Sequence, residues 1–192
     1  MKQAMSVLTS NAQSRWYTPP HIIEKARQTM GTIDLDPASE EAPQKWIQAE
    51  TYYDLCIPPS IDWLEEKAKA TAIKVLSRSQ LERQPPWEGN VWLNPPFYDS
   101  PLWVNRMIHD HQKTQNTSML LVNTACGYKW WERLWRLFPV VMLEERLCFI
   151  NGETGKPEGQ AKKGQTIAYL GKDIATFTKV WSAIGRVILG ES

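Results

Sequence analysis

Apolar positions recur at helical spacing first in HIIEKARQTM, where Ile22, Ile23, Ala26 and Met30 mark one face. The expected helix opens with Thr18 as N-cap and Pro19 at its first position, and closes at Gly31. The alternation Thr32-Ile33-Asp34-Leu35-Asp36 reads as a short strand stopped by Pro37, and residues 38–60 read as loops with one short helix. Residues 62–81 are charged and helix-rich, and the pattern leaves open an internal strand at AIKVL. Val91 to Asn94 is a short apolar strand, broken at once by Pro95 and Pro96. In PLWVNRMIHDHQ, Trp103 with Met107 and Val104 with Ile108 lie four apart on an amphipathic helix. Ser118 to Val122 is a continuous apolar run, expected to be a buried strand. Trp131, Leu134, Trp135 and Phe138 form another helical stripe, followed by a strand over Pro139 to Leu143. Cys148 to Ile150 and Gln165 to Leu170 flank the loop NGETGKPEGQAKKG and read as a hairpin with a long tip. The last expected helix runs from Ile174 to about Leu189. Strands alternating with helices and ending in a β-hairpin predict an α/β fold of three layers around a mixed sheet.

The 192 residues suit a single domain. Residues 1–14 are small, polar and expected to be flexible; 15–192 form the domain, with a candidate insert at 56–86. Lys plus Arg is 22 against 21 Asp plus Glu, a net charge of +1. That excludes a strongly basic coat protein for nucleic acid but leaves room for an enzyme with a local basic face. Cys56, Cys126 and Cys148 form no CxxC or His-Cys cluster, so no zinc site is expected. Their odd, sparse count suits reduced thiols in a cytoplasm. No apolar run reaches membrane-spanning length, and MKQAMSVLTS lacks the apolar core of a signal peptide.

Asn94-Pro95-Pro96-Phe97 directly follows a strand and carries the sharpest chemistry. Two prolines fix φ and remove two backbone donors, and a residue before proline is held extended. The carbonyls of Asn94 and Pro95 are then free to point outward, Asn94 adds a side-chain acceptor, and Phe97 supplies a ring. Such a site takes two hydrogen bonds from an exocyclic amino group and stacks the ring that carries it. An adenine amino nitrogen is a poor nucleophile because its lone pair is delocalised; two acceptors on its hydrogens favour a localised lone pair, an electrostatic preorganisation for attack. A proline-bounded strand end with a core Phe is the bland alternative. Thr18-Pro19-Pro20 opening a helix, and Asp36-Pro37-Ala38 at a strand end, stand in the order and spacing of an amino-methyltransferase and favour the chemical reading.

On Trp16-Tyr17-Thr18-Pro19-Pro20, Asp34-Leu35-Asp36-Pro37-Ala38-Ser39, Tyr52-Tyr53 and the long stretch Trp87 to Phe97, the chain resembles the phage-type, Dam-like N6-adenine DNA methyltransferases over residues 15–171. The resemblance implies a Rossmann-like methyltransferase fold, S-adenosylmethionine as cofactor, DNA as partner, and no metal. Phe97 stands where many members have Tyr; stacking needs the ring and not the hydroxyl. The usual glycine-rich cofactor motif is reduced here to Asp36-Pro37-Ala38-Ser39-Glu40.

By the same resemblance, Thr18 and Pro19 sit at the cofactor's methionine end, where a helix N-terminus suits a carboxylate. Trp16 and Tyr17 flank the cofactor or simply pack. Asp36, with Pro37 and Ala38, ends its strand where ligands bind in open α/β sheets and pairs with the methionine ammonium; Asp34, two residues earlier, is the second candidate on the same face. Asp54 is a candidate for the ribose or adenine, or a plain loop carboxylate. Asn94, Pro95, Pro96 and Phe97 form the catalytic set. His21, His109 and His111 read as solvated surface. Lys156, Lys162 and Lys163 are candidates for DNA phosphates, though set against Glu153 and Glu158 they leave the 151–165 loop a net charge of only +1. The same site chemistry also suits an RNA adenine, a cytosine amino group or a glutamine amide, and an inactive DNA-binding module is the rival from another class. The recognition sequence and oligomeric state are left open.

Overall fold

A computed structural model describes residues 16–54 and 78–191. Nine strands lie among them: β1 (Trp16–Tyr17), β2 (Leu35–Ser39), β3 (Thr51–Asp54), β4 (Asn90–Leu93), β5 (Thr117–Asn123), β6 (Val140–Leu143), β7 (Ile150–Asn151), β8 (Gln165–Leu170) and β9 (Gly185–Ile188). The helices are α1 (Pro20–Met30), α2 (Gln44–Ile47), α3 (Ser100–Thr114), α4 (Lys129–Leu137) and α5 (Ile174–Trp181), with a further helical stretch at 78–83.

Seven strands form one sheet in the order β3-β2-β4-β5-β8-β6-β9. β3, β2, β4 and β5 run parallel; β8 is antiparallel between β5 and β6, and β9 is antiparallel to β6. The central strands read as unbroken apolar runs because both faces of the sheet are covered. Alternate residues feed two cores. Val91, Leu93, Leu120, Val122, Val140, Ala168 and Leu170 meet Trp103 and Met107 of α3 and Trp131 and Leu134 of α4. Trp92, Met119, Leu121, Val141, Ile167 and Tyr169 meet Ile22 and Ile23 of α1, Ile47 of α2 and Phe177 and Trp181 of α5. The expected three layers around a mixed sheet are present.

Five local expectations are corrected. Thr18 is not the N-cap of α1: a residue before proline is pushed out of the helical region, so Pro19 is extended (φ −66°, ψ 148°), takes the cap position, and leaves Pro20 first in the helix. Pro37 does not stop β2. The strand passes through it with one extra residue between Asp36 and Ser39 relative to β3, a bulge where proline has no N–H to give the ladder. β8 does not pair with the 148–150 segment. That segment folds back on its own loop, with Asn151 N donating to the Lys156 carbonyl, Glu158 N to Phe149 and Ala161 N to Leu147, while β8 enters the main sheet. The closing helix ends at Trp181, and β9 follows as an edge strand; a side chain at Gly185 would strike the Met142 carbonyl, so glycine permits this close pairing. β3 itself falls in the stretch expected to be loop.

Residues 1–14, and most of the 56–86 insert with its helix-or-strand alternative, lie outside the described residues. The chain returning from that insert is pinned by Arg106 of α3. Its guanidinium donates to the carbonyls of Leu81 (2.6 Å), Gln84 (3.1 Å) and Pro85 (2.6 Å) and pairs with buried Asp110 at 2.6 Å. Cys126 and Cys148 are free and exposed. Among the described residues no helix is long and apolar enough to cross a membrane, and no group of His, Cys, Asp and Glu could hold a metal ion.

Candidate active site

β2 and β4 are paired at Leu35 and Val91, near their starts. The chain leaves β2 for β3 on one side of it and later returns as β4 on the other. This is the switch point of the sheet, where an open α/β fold leaves a crevice beyond the carboxyl ends of its strands. β2 forms one lip of it and β4, with Asn94 directly beyond its end, forms the other. Asp36 is the second residue of β2 and does not end that strand as expected, because the strand continues through the Pro37 bulge to Ser39.

Asp36 is 2% exposed. Burial holds its carboxyl well above the usual range, at about 6, against the opposing pull of the Ser39 hydroxyl, the Ala38 amide and the Gln44 side chain. Gln44 Nε2 donates to Asp36 Oδ2 at 3.1 Å and to Ser39 Oγ at 2.7 Å, and Ala38 N approaches Asp36 Oδ1 at 3.4 Å. Among the described residues no cation forms an ion pair with this acid. Gln84 Nε2 donates to the Pro37 carbonyl at 3.0 Å and so steadies the bulge from the side of the returning insert.

On the opposite lip, Asn94 Oδ1 is buried and has no hydrogen-bond partner. An acceptor withdrawn from water and left unpaired carries a cost, and a functional site is one place where such a cost is retained. Pro96 leads into a single 3-10 turn, Phe97–Asp99, closed by Asp99 N on the Pro96 carbonyl and Ser100 Oγ on the Phe97 carbonyl, both at 3.2 Å. The half-buried Phe97 ring meets Phe149 edge-on. Asn94, Pro95, Pro96 and Phe97 are therefore gathered at the end of β4 as the sequence pattern implied.

The 16–18 arm ties the two lips together. β1 pairs antiparallel with β7, Trp16 opposite Asn151 and Tyr17 opposite Ile150. Asn94 Nδ2 donates to the Trp16 carbonyl at 3.5 Å, and Trp46 Nε1 of α2 donates to the Thr18 carbonyl at 2.9 Å. Tyr17 and Trp46 rings lie 6.1 Å apart. Thr18 is 1% exposed and its hydroxyl, like Asn94 Oδ1, has no partner. The arm thus brings Trp16, Tyr17, Thr18 and Pro19 to the crevice and joins them to the 147–161 hairpin through β7.

Asp34 is not part of this cluster. It precedes β2, and its carboxylate accepts from Thr32 Oγ1 at 2.7 Å and from Asn90 N, at the start of β4, at 2.8 Å. Gly89 (φ +71°) is glycine for the same reason, since a Cβ there would lie 2.5 Å from Asp34 Oδ2. Asp54 ends β3 beside Ser39 and is exposed. Lys156, Lys162 and Lys163 are exposed. Lys156 is on the return limb of the hairpin; Lys162 and Lys163 are in the link to β8, where Thr124 N holds the Gly164 carbonyl at 2.8 Å. His21 and His109 are exposed as expected, but His111 is half-buried, bonded through Nδ1 to the Asn116 carbonyl at 2.7 Å and packed edge-on against Phe138. A cavity of about 540 Å³ lined by His111, Asn116, Thr117, Tyr169 and Lys172 opens at the far end of the sheet, away from Asp36 and Asn94. Gln44, Trp46 and Phe149 are site neighbours that sequence reasoning missed. Only their place in the fold marks them, although the Trp46 and Phe149 rings stood in stretches otherwise read as loop and strand.

The model of the family described as DNA N-6-adenine-methyltransferase (Dam) matches residues 5–187. A protein named DNA N-6-adenine-methyltransferase from Haemophilus phage HP1 (strain HP1c1) is 28% identical over 127 residues, covering 64% of this chain and 72% of that relative. No solved structure matches.

Proposed function

We propose, on the premise that the chain belongs to the DNA N-6-adenine-methyltransferase (Dam) family, that it methylates the exocyclic N6 of an adenine swung out of the DNA duplex into the crevice between Asp36 and Asn94. Membership makes it a DNA N6-adenine methyltransferase; the cofactor, the pocket and the residue roles are our reading. The observation that carries it is the buried, partnerless Asn94 Oδ1 at the carboxyl end of β4; beside it stands a buried acid on the neighbouring strand β2 that has no counter-ion among the described residues.

S-adenosylmethionine supplies the activated methyl group. The residues of the two lips fit it: an ammonium satisfies the buried Asp36 carboxylate, and Asp54, at the end of the adjacent parallel strand, is within the same edge for ribose hydroxyls. Thr18 and Pro19 close the methionine end beside the start of α1, with Trp16 and Tyr17 on the arm above, while Pro37 and Ala38 shape the bulge under it. A Rossmann-like reading of the sheet rests on the parallel β3-β2-β4-β5 half and the switch point between β2 and β4.

Asn94 Oδ1 and the Pro95 carbonyl accept the two hydrogens of the target amino group. This holds the nitrogen lone pair toward the methyl donor, and a preorganised acceptor withdrawn from solvent, as Asn94 Oδ1 is, is worth more than the same acceptor in water. Phe97 stacks on the extruded base, whose loss of neighbours in the duplex it offsets. After transfer the nitrogen carries an extra proton and is a strong acid, so it passes the proton to water without a dedicated base. Lys156, Lys162 and Lys163 then meet phosphates of the flanking duplex.

The test is transfer of labelled methyl from S-adenosylmethionine to DNA, RNA and protein in parallel, followed by identification of the modified base. N6-methyladenine in DNA is the expected product. Label confined to RNA, to cytosine or to a glutamine side chain overturns the assignment, and no label anywhere supports the inactive DNA-binding module.

A further inference from the structure

Asp36 presents a problem of chemistry. A carboxylate 2% exposed, with no ion pair among the described residues, must be held ionised and correctly turned if it is to receive a cation. The backbone does little: Ala38 N is 3.4 Å from Oδ1. The side chain that addresses the other oxygen is Gln44, at the first turn of α2.

The Gln44 amide cannot be read the other way round. Its Oε1 accepts from Ala49 N at 3.0 Å, so Nε2 is the end turned toward the acid. Nε2 has two hydrogens, and two acceptors stand at bonding distance, Asp36 Oδ2 at 3.1 Å and Ser39 Oγ at 2.7 Å. Every hydrogen-bonding need of this amide but one Oε1 lone pair is met locally, and the Ser39 hydroxyl is itself oriented by it. Asp36 and Ser39 flank the Pro37 bulge, so Gln44 also bridges the irregular strand across its extra residue.

We infer that Gln44 is a positioning residue for the cofactor, holding the Asp36 carboxylate in the ionised, outward-aimed state that receives the methionine ammonium. The inference rests on the proposed role of Asp36. A donor at fixed geometry strengthens the acid's acceptor character only while Asp36 is present; a purely structural Gln44, tying Ala49 to the β2 bulge, would matter equally with or without it.

The experiment is a double-mutant cycle on the full chain, with S-adenosylmethionine affinity read by calorimetry and steady-state kinetics alongside. Gln44→Met keeps the length and removes the donor; it is expected to weaken cofactor binding about tenfold, the scale of one hydrogen bond to a charged group, with the loss falling more on KM for the cofactor than on kcat. Asp36→Asn weakens binding by itself, and Gln44→Met added to Asp36→Asn costs less than twofold further. Gln44→Glu retains the shape and the Ala49 anchor but faces Asp36 with a second carboxylate, and it loses more than Gln44→Met. That variant also carries the test if Gln44→Met melts too low to assay. Equal losses from Gln44→Met in both backgrounds, or Gln44→Glu binding as well as wild type, overturn the inference while leaving the role of Asp36 standing. An Asp36→Asn variant with unchanged cofactor affinity overturns the role of Asp36, and the inference with it.

Discussion

Phe97 and Phe149 meet edge to face, with ring centroids 6.1 Å apart and planes at 72°. The contact joins the tetrapeptide after β4 to the hairpin limb that ends in β7, and it fixes the ring on which the target base is proposed to stack. Phe97→Tyr keeps the ring and is expected to stay active. Phe97→Ala is expected to lose roughly 1–3 kcal/mol of affinity for duplex carrying the target base. Phe149→Ala removes the edge contact, costing about 0.5–1.5 kcal/mol of that affinity, and also empties a buried core position, so it is expected to lower stability by about 3–5 kcal/mol. Titration of a duplex with a fluorescent adenine analogue at the target position measures all three; equal affinity throughout makes Phe97 a core residue.

Asn94→Ala removes an acceptor whose partner exists only with substrate in place. Transfer is expected to fall by about a hundredfold, near 3 kcal/mol, with cofactor affinity nearly intact, because the amide serves the transition state more than the ground state. Single-turnover methylation and cofactor calorimetry on the same sample make the comparison. Wild-type turnover would remove the tetrapeptide from the mechanism.

Much of this site was legible in the sequence, and the reasons are local. Asn94-Pro95-Pro96-Phe97 follows a four-residue apolar strand, so proline chemistry alone placed it at a strand end. β5 and α3 were equally plain, because TSMLLVN is buried on both faces and Trp103, Val104, Met107 and Ile108 repeat along one helical face. What escaped was set by pairing at a distance. Pro37 looked like a stop because its missing N–H breaks a ladder, but β3 tolerates it by a bulge. The short segment Ile150–Asn151 matched β8 by proximity in sequence, yet its partner is β1, more than 130 residues earlier. Asp34 and Asp36 were equivalent by strand periodicity. The Asn90 amide and the Thr32 hydroxyl claim one of them, and no periodicity records that.

Asp34 and Asp36 should therefore part company under mutation. Asp34→Ala strips the acceptor from Asn90 N and Thr32 Oγ1 and is expected to cost about 1–3 kcal/mol of stability, with the cofactor affinity of the folded fraction unchanged. Denaturant titration with parallel calorimetry shows the split. A weakened cofactor affinity at unchanged stability would bring Asp34 back into the site.

The pH dependence of Asp36 has a definite sign. Burial raises its pKa from 3.8 to about 6, so the folded protein holds this proton more tightly than the unfolded chain. The stability it contributes is complete below 3.8 and is lost as pH rises through about 6. Without cofactor, Asp36→Asn is expected to gain on wild type across that window, by at most on the order of 3 kcal/mol. An ammonium partner reverses the preference, so wild-type cofactor affinity declines below pH 6 by up to about tenfold per unit. Calorimetry from pH 5 to 8 tests this; a flat affinity profile that Asp36→Asn also shows would mean the acid does not meet the cofactor.

The lysines of the 147–164 region give the prediction most sensitive to where DNA is gripped. Glu158 is held within the turn, taking Asn151 Nδ2 at 2.8 Å and Thr154 Oγ1 at 2.9 Å, but both donors are neutral, so its charge still counts in the loop's modest +1. Asn151 Oδ1 also accepts from Glu153 N at 2.7 Å, which makes the turn a shaped support and not a free tether. Lys162 and Lys163 precede Gly164, whose carbonyl Thr124 N holds just beyond the carboxyl end of β5, the neighbour of the strand that Asn94 follows. If these side chains and Lys156 neutralise phosphates, replacing all three by Gln weakens binding to every duplex alike and flattens the log–log salt dependence by up to about 0.9 for each lost contact. Site preference should hold, because phosphate contacts position and base contacts specify. Cofactor affinity should hold as well, since the side chain of Asp36 is bonded by Ala38 and Gln44 and by none of the three. Binding isotherms at several salt concentrations decide it. An unchanged slope in the triple variant would place the grip elsewhere, and separate Lys156→Gln and Lys162→Gln/Lys163→Gln variants would show which limb of the hairpin region carries whatever slope is lost.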